Sequence, residues 1–238
     1  MSLPPPLPPA LAAAPHRRRL HAGWGVVALL PALLFFALGG YALLGSRSQY
    51  EQRAELLSQN LASALDRSLS AHVEKIDLAL SAVVDDLERQ LAGGHLDLAM
   101  AGAHVTSQAA GRAELTGVRV TDARGIAILG PGLSASRRPL DFSEREWFIV
   151  QREHPDAGLH MSHPLVSKLS QTWIVSFSRR YRTPQGAFAG VVSAAVPLSF
   201  FTQQLQAVDA GPHGIVTLRH ADLDLLARHP EVAASAAA

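Results

Sequence analysis

Residues 172–198 read TWIVSFSRRYRTPQGAFAGVVSAAVPL, two runs of strand-forming residues joined by a short polar turn. Both runs, 172–180 and 188–196, are rich in β-branched, aromatic and small apolar residues. Between them, Thr183-Pro184-Gln185-Gly186 carries proline and glycine at the positions that a type I turn prefers. The segment therefore predicts an antiparallel hairpin.

Three further strands precede this hairpin. Residues 117–121 alternate between apolar and polar, and 122–125 form a turn pattern with glycine where a positive φ is wanted. Residues 126–129 are predicted to return as the next strand, and 160–166 form another candidate. The sum is a five-stranded, mostly hairpin-linked antiparallel sheet, which with its flanking helices gives an α+β architecture.

Several helices are expected around this sheet. Ser143-Glu144-Arg145-Glu146 matches a capping box, so we predict that a helix starts there and carries Trp147 and Phe148. It should end before Pro155. Shorter helices are predicted over 96–110 and 198–207.

A long amphipathic helix is predicted over residues 45–94. Apolar residues recur every three or four positions from Leu57 to Leu91, and Gly93-Gly94 supplies a stop signal. This stripe has two candidate partners: the chain's own sheet, or the same helix of a second copy in a parallel homodimer.

The N-terminal region indicates a membrane anchor. Residues 22–44 contain no charge and are long enough to cross a bilayer. The arginines at 17–19 favour a cytoplasmic N-terminus, with residues 1–21 as a disordered tail and everything after 44 outside the cytoplasm. The alternative is a cleaved signal peptide, and either interpretation exports the rest of the chain.

The C-terminal region repeats the hairpin pattern on a smaller scale. Residues 214–219 and 223–228 alternate around a turn near 220–222, and an alanine-rich tail comes after them. A two-stranded unit is marginal alone. We therefore expect 211–238 to be the start of a second subdomain that is cut short.

Composition excludes several function classes. A net charge of +1 gives no field suited to nucleic acid, and the absence of cysteine removes disulfides, thiolate metal sites and cysteine nucleophiles. We find no phosphate-binding loop, no His-Glu-x-x-His and no Gly-x-Ser-x-Gly motif. We predict neither a catalytic residue nor a cofactor.

The order of elements resembles the double Cache (PAS-like) sensor domains of bacterial receptors, especially those in front of diguanylate cyclases and sensor histidine kinases. The segments 116–129, 143–148 and 173–198 carry the resemblance. It implies that 95–210 is a membrane-distal sensor subdomain with a small-molecule pocket, and that 211–238 begins the membrane-proximal one. One branch of the family recognises free amino acids.

The resemblance also suggests ligand-binding residues. Arg145-Glu146-Trp147-Phe148 fits the family's pattern of an arginine followed by an aromatic pair. A guanidinium can bind a carboxylate in bidentate fashion while aromatic faces exclude water. The stretch 191–196 lacks the family's aspartate for an amine, and Leu140 stands where an aromatic is expected. The pattern therefore favours an organic anion over an α-amino acid.

His160 and Trp173 complete the candidate ligand-binding set, with Arg145, Trp147 and Phe148. His160 and His163 are three apart on a predicted strand and should point to opposite faces, which argues against a shared metal. We predict no metal site.

The sequence thus predicts the periplasmic sensor of a single-pass inner-membrane signalling receptor, in which any cyclase or kinase output would lie further downstream. Two alternatives remain. One is a chemotaxis receptor sensor, and the other is a truncated, membrane-anchored dimerisation or adaptor protein without output. Both keep the anchor and differ in the downstream output module.

Overall fold

A computed structural model describes residues 17–110, 112, 114–131, 133, 139–211 and 213–230 of the 238-residue chain. In the first helix it describes side chains at 33–38, at 41 and from 52 onwards. Most of the predicted tail and the last residues, 231–238, lie outside the described part. The chain divides into two compact units, Met1–Gln59 and Asn60–Ala238, and the candidate site lies in the second.

Helix α1, Arg17–Ala92, includes the predicted amphipathic helix. It also takes in residues 17–21, which were predicted to be disordered. Among the side chains that are described, no helix offers an apolar window long enough to span a membrane. The predicted span of 22–44 falls largely on side chains outside that set, namely 22–32, 39–40 and 42–44.

The distal part of α1 contributes apolar side chains to the core. The helix ends at Ala92, just before the predicted stop signal Gly93-Gly94. Ile76, Leu80 and Leu87 are at most 2% exposed, whereas Leu57 is 63% exposed. Gly94 comes next, in the left-handed region with a φ of 94°. The distal stripe therefore packs within the domain, and the dimer predicted for the proximal stripe stays a prediction.

The main sheet is antiparallel, with strand order β2-β1-β6-β5-β3 and β4 also paired to β5. Its strands are β1 Gly117–Asp122, β2 Ala127–Leu129, β3 His160–Met161, β4 Leu165–Val166, β5 Trp173–Arg182 and β6 Phe188–Pro197. The hairpin predicted from 172–198 is confirmed as β5 and β6.

The predicted strand 160–166 is in fact two short strands. Ser162 still pairs with β5, because its N–H donates to the Ser176 carbonyl oxygen at 2.9 Å and its hydroxyl oxygen accepts the Ser176 N–H at 2.9 Å. Pro164 has no N–H with which to continue the ladder. The result is a six-stranded sheet in place of the predicted five.

The remaining helices are α2 Leu98–Ala109, α3 Glu146–Glu153 and α4 Leu198–Gln206. The predicted start of α3 at Ser143 is wrong: Arg145 is the N-cap, and no side chain caps it. The Ser143 N–H donates to Asp141 at 2.8 Å. In a capping box the Glu146 carboxylate would accept the backbone N–H of the N-cap residue. Here it contacts His160 and His163 of the β3–β4 segment instead.

The sheet has two unlike faces. Val120, Phe177 and Val192 point to the main core, which also contains residues of α1, α2 and α4. The opposite face packs against α3 through a smaller cluster that includes Trp147 and Phe148. Arg119 and Ser193 are paired in register. Because side chains alternate along a strand, both point to the α3 side.

Strands β7 Val216–Arg219 and β8 Leu225–His229 form the predicted C-terminal hairpin as a separate two-stranded sheet. Leu226 and Ala227 are buried in the same core cluster as the main sheet. The hairpin is thus packed against the core of the main sheet, while its assignment to a second subdomain stays a prediction.

Candidate functional site

A cavity lies on the α3 side of the sheet. Strands β1, β5 and β6 form its floor, and the β4–β5 loop and the start of α3 form its walls. Its lining residues are Arg119, Phe142, Arg145, Trp147, Leu165, Ser167, Lys168, Leu169, Ile174, Ser176, Ser193 and Ala195. Three of them are cationic and none is acidic, so the cavity favours an anion.

Arg145 reaches the cavity as the N-cap residue of α3. Its Nη2 donates to the Val166 carbonyl oxygen at 3.2 Å, and its Nε lies 3.7 Å from Glu144 Oε1. The buried Nε makes no hydrogen bond within the described part of the chain. A buried N–H donor of this kind is costly unless it finds an acceptor.

Arg119 enters the cavity from β1. Its Nη2 donates to the Pro131 carbonyl oxygen at 3.2 Å, and its guanidinium lies 5.2 Å from the Phe142 ring centroid. Burial lowers the pKa of Arg119, and its Nε also makes no hydrogen bond to described residues. Each of the two arginines thus has one buried guanidinium N–H group without a hydrogen-bond acceptor among the described residues.

Lys168 comes from the β4–β5 loop. Its ammonium donates to the Asp141 carbonyl oxygen, contacts the Glu144 carboxylate and lies 5.4 Å from the Phe142 ring centroid. The hydrogen bond from Lys168 lowers the pKa of Glu144. The Glu144 carboxylate thus partly neutralises Lys168. The two arginines are therefore the stronger hydrogen-bond donors to an anion.

The rest of the lining is aromatic, aliphatic or bears hydroxyl groups. Trp147 is 3% exposed, and its ring centroid lies 5.6 Å from that of Phe142. Ser176 and Ser193, on neighbouring strands, are also buried. Such a lining keeps water away and leaves hydroxyl groups to orient a polar ligand.

The cavity has about 20 Å³ of free volume, which is room for about one water molecule. An adjoining cleft of about 360 Å³ shares Arg119, Ser167, Leu169 and Ala195 with it. The two spaces thus share part of their lining. A molecule larger than water would need the cavity to widen.

Two of the five predicted site residues, Arg145 and Trp147, line the cavity. Phe148 is fully buried and packs against Phe188. It follows Trp147 on the helix, so its side chain points about 100° away from that of Trp147 and does not line the cavity. Trp173 begins β5 and is 58% exposed, and Ile174 takes the inward position. His160 lies at the edge of the sheet beside Glu146 and does not line the cavity.

The expectation that His160 and His163 diverge is also wrong. Because β3 ends at Met161, strand alternation does not extend to His163. His160 Nε2 lies 3.3 Å from Glu146 Oε1, and His163 Nδ1 lies 3.0 Å from Glu146 Oε2. Both imidazoles thus meet one carboxylate.

Sequence reasoning missed Arg119, Phe142, Lys168, Ser176 and Ser193. An aromatic residue was expected at position 140, where the chain has Leu140; Phe142 provides an aromatic ring in the cavity lining. One of the others could have been found from the sequence, because Ser193 places a hydroxyl group at a cavity-facing position of a strand that is otherwise apolar. Lys168 lies in a loop, where no periodicity applies.

Solved structures show the fold to which this chain is similar. An extracellular domain assigned to a histidine kinase, rpHK1S-Z16, matches at 27% identity over 72% of this chain and 68% of its own, with a TM-score of 0.64. The sensory domain of the Campylobacter jejuni chemoreceptor Tlp3 with isoleucine bound matches at 13% identity over 76% and 72%, with a TM-score of 0.59. The ligand-binding domain of Mlp24 with asparagine matches at 13% over 74% and 72%, with a TM-score of 0.55.

No family model and no curated protein matches the chain. The three structural matches are the extracellular domain of a histidine kinase, the sensory domain of a chemoreceptor and a ligand-binding domain. The chain therefore shares a Cache-type fold with these structures.

Proposed function

We propose that this Cache-type sensor domain binds a small organic anion outside the cytoplasm and relays its presence across the membrane. The observation that carries the proposal is the convergence of Arg119, Arg145 and Lys168 on one cavity without a lining carboxylate. A protein that did not bind an anion there would bury two guanidinium groups with incomplete hydrogen bonding.

The lining chemistry narrows the ligand class. A carboxylate would accept hydrogen bonds from the free Nε groups of Arg119 and Arg145, and charge-assisted bonds of this type are the strong ones. Tlp3 and Mlp24 are solved with isoleucine and asparagine, which carry an ammonium group as well. Because no acidic side chain lines the cavity to receive an ammonium, we expect a carboxylate without an α-amino group.

Signal relay would result from opening the cavity. A ligand too large for the closed cavity binds only the open form and so shifts the population towards it. Strand β5 carries Ser176 on the cavity side and Arg179 towards α1, where Arg179 Nη2 donates to Asp77 Oδ2 at 2.8 Å. Movement of β5 would therefore be transmitted to α1, and a homodimer of α1 helices would respond by a small slide or rotation.

We further propose that residues 22–44 anchor the chain, with the N-terminus in the cytoplasm. Within this segment Leu34, Phe35 and Phe36 are 62–79% exposed, and lipid would cover such side chains. Reporter fusions just after residue 44 test the topology. An active alkaline phosphatase fusion is expected, and activity only from a cytosolic reporter would contradict the proposal.

In this scheme the domain has no catalytic role, and a kinase, cyclase or chemotaxis module would supply the output. The proposal is tested by thermal denaturation of the full chain in detergent with mono-, di- and tricarboxylates, amino acids, and chloride or sulfate as ionic controls. A specific carboxylate at about 100 times its Kd should stabilise the fold by about 2.7 kcal/mol. If every carboxylate gave only the shift of the inorganic controls, anion sensing would be rejected.

A further inference from the structure

A second cluster of polar side chains lies outside the cavity, where the β3–β4 segment meets the β7–β8 turn. It consists of His163, His220 and Asp222, whose ligand-type atoms all lie within 4.8 Å of one another. Asp222 Oδ2 lies 3.1 Å from His163 Nε2 and 3.3 Å from His220 Nδ1. Three potential electron-pair donors from two separate segments thus converge.

Glu146 determines which nitrogen of His163 faces this cluster. Its Oε2 lies 3.0 Å from His163 Nδ1, and the same oxygen accepts the His163 backbone N–H at 3.1 Å. A carboxylate can only accept, so Nδ1 must carry the proton. In the neutral imidazole, Nε2 then presents a lone pair to Asp222.

Two lone pairs at 3.1 Å repel unless a cation lies between them. His220 Nδ1 also lies 3.3 Å from Asp222 Oδ2, and a proton on that nitrogen or a shared metal ion would satisfy this contact as well. The cluster therefore requires a cation, either a proton on His163 or a metal ion shared by the three groups.

The spacing fits a tetrahedral metal site. Zinc–nitrogen and zinc–oxygen bonds of about 2.0–2.2 Å at tetrahedral angles put neighbouring ligand atoms about 3.3 Å apart. The separations of Asp222 Oδ2 from the two imidazole nitrogens, 3.1 and 3.3 Å, agree, and the two nitrogens lie within 4.8 Å of each other. Glu146 behind His163 reproduces the carboxylate–histidine–metal arrangement that orients ligating imidazoles.

We propose that His163 Nε2, His220 Nδ1 and Asp222 Oδ2 bind one divalent transition-metal ion of the zinc class. Two imidazoles and a carboxylate suit zinc and disfavour magnesium, which prefers oxygen ligands. Asp224 Oδ2, 3.9 Å from His163 Nε2, or a water molecule would take the fourth position. The ion would fix the β7–β8 turn to the β3–β4 segment.

The proposal is tested on the metal-stripped full chain in detergent at about pH 8, above the ordinary pKa of a histidine side chain. Zn²⁺ is titrated in competition with a chromophoric chelator, with Mg²⁺ as the comparison ion. We expect one tight Zn²⁺ site and a thermal shift that Mg²⁺ does not produce. His163→Ala, His220→Ala and Asp222→Asn should each weaken Zn²⁺ binding by at least about tenfold, and Glu146→Gln by about 10- to 100-fold.

His95→Ala is the matched control, because His95 is exposed and outside the cluster, and it should leave Zn²⁺ binding unchanged. Asp222 is 68% exposed, so Asp222→Asn should keep the fold even if a histidine variant does not. If the tight site is missing from the wild-type chain, or survives in Asp222→Asn and in His163→Ala, the cluster is an ion pair with a protonated His163 and the proposal is overturned. Carboxylate binding at Arg145 is a separate measurement, so the two proposals can fail independently.

Discussion

The side-chain amide of Gln151 on α3 forms a hydrogen bond with the backbone of Arg180 on β5, where a neighbouring strand would otherwise supply the partner. Its Oε1 accepts the Arg180 N–H at 3.0 Å, and its Nε2 donates to the carbonyl oxygens of Ser178 at 2.8 Å and Gly158 at 2.9 Å. Gln151 is fully buried, although most glutamines lie at the surface. It completes the hydrogen bonding of β5 beyond the end of β3.

Replacing Gln151 by leucine should destabilise the domain. Leucine fills a similar volume but leaves one N–H and two carbonyl groups without their partner, at an expected cost of about 1–3 kcal/mol. Urea denaturation of the full chain, followed by circular dichroism, measures the change. Gln203→Leu on the exposed side of α4 is the control, and equal stability of the two variants would contradict the assigned role.

Gly190→Ala should be among the most damaging single-methyl changes. A Cβ at Gly190, whose φ is 154°, would lie 2.0 Å from the Thr121 carbonyl oxygen and 2.7 Å from the Tyr181 ring. Neither the backbone of β1 nor a ring buried to 2% exposure can move away easily. We expect a loss of about 3 kcal/mol or more in the free energy of unfolding.

The matched comparison is Gly186→Ala in the β5–β6 turn. Gly186 also has a positive φ, 80°, but no atom lies within 4 Å of its added Cβ. That change should cost only the backbone strain, about 1–2 kcal/mol. Similar losses for the two alanine variants would show that the clash at Gly190 relaxes.

Local patterns predicted the hairpin of β5 and β6 because its turn and both strands are adjacent in sequence. They failed at α3, where Glu146 contacts His163, 17 residues away, and does not cap the helix. They also missed Arg119, since its place in the cavity depends on the pairing of β1 with Ser193 of β6. The proposed anion site is built mainly from such long-range contacts, and so only its α3 part was predicted.

The ion pair between Arg179 and Asp77 is a long-range contact of the same kind, between residues 102 apart in sequence. The two side chains are 29% and 31% exposed, and Asp77 raises the pKa of Arg179. A double-mutant cycle with Arg179→Met and Asp77→Asn should give a coupling energy of about 1 kcal/mol. Two hydrogen bonds join the guanidinium to the carboxylate, and the pair is partly buried.

The exposed pair Arg89–Asp86 serves as the control for that cycle. Arg89 is 72% exposed and three residues from Asp86 on the same helix, so its coupling should be about 0.2–0.5 kcal/mol. If the Arg179–Asp77 coupling were no larger, this contact would not hold β5 to α1 and could not serve the proposed relay.

The anion site makes the most direct prediction for the proposed function. Arg145→Ala and Arg119→Ala should each weaken binding of the best carboxylate by about 10- to 100-fold, because each removes charge-assisted hydrogen bonds to it. Isothermal titration calorimetry of the full chain measures the loss. Arg145→Lys should recover only part of the affinity, since an ammonium cannot form the bidentate contact. Arg124→Ala, in the exposed β1–β2 turn, should bind like the wild type. Full affinity in both cavity variants would place the ligand elsewhere, even if the domain proved to be a sensor.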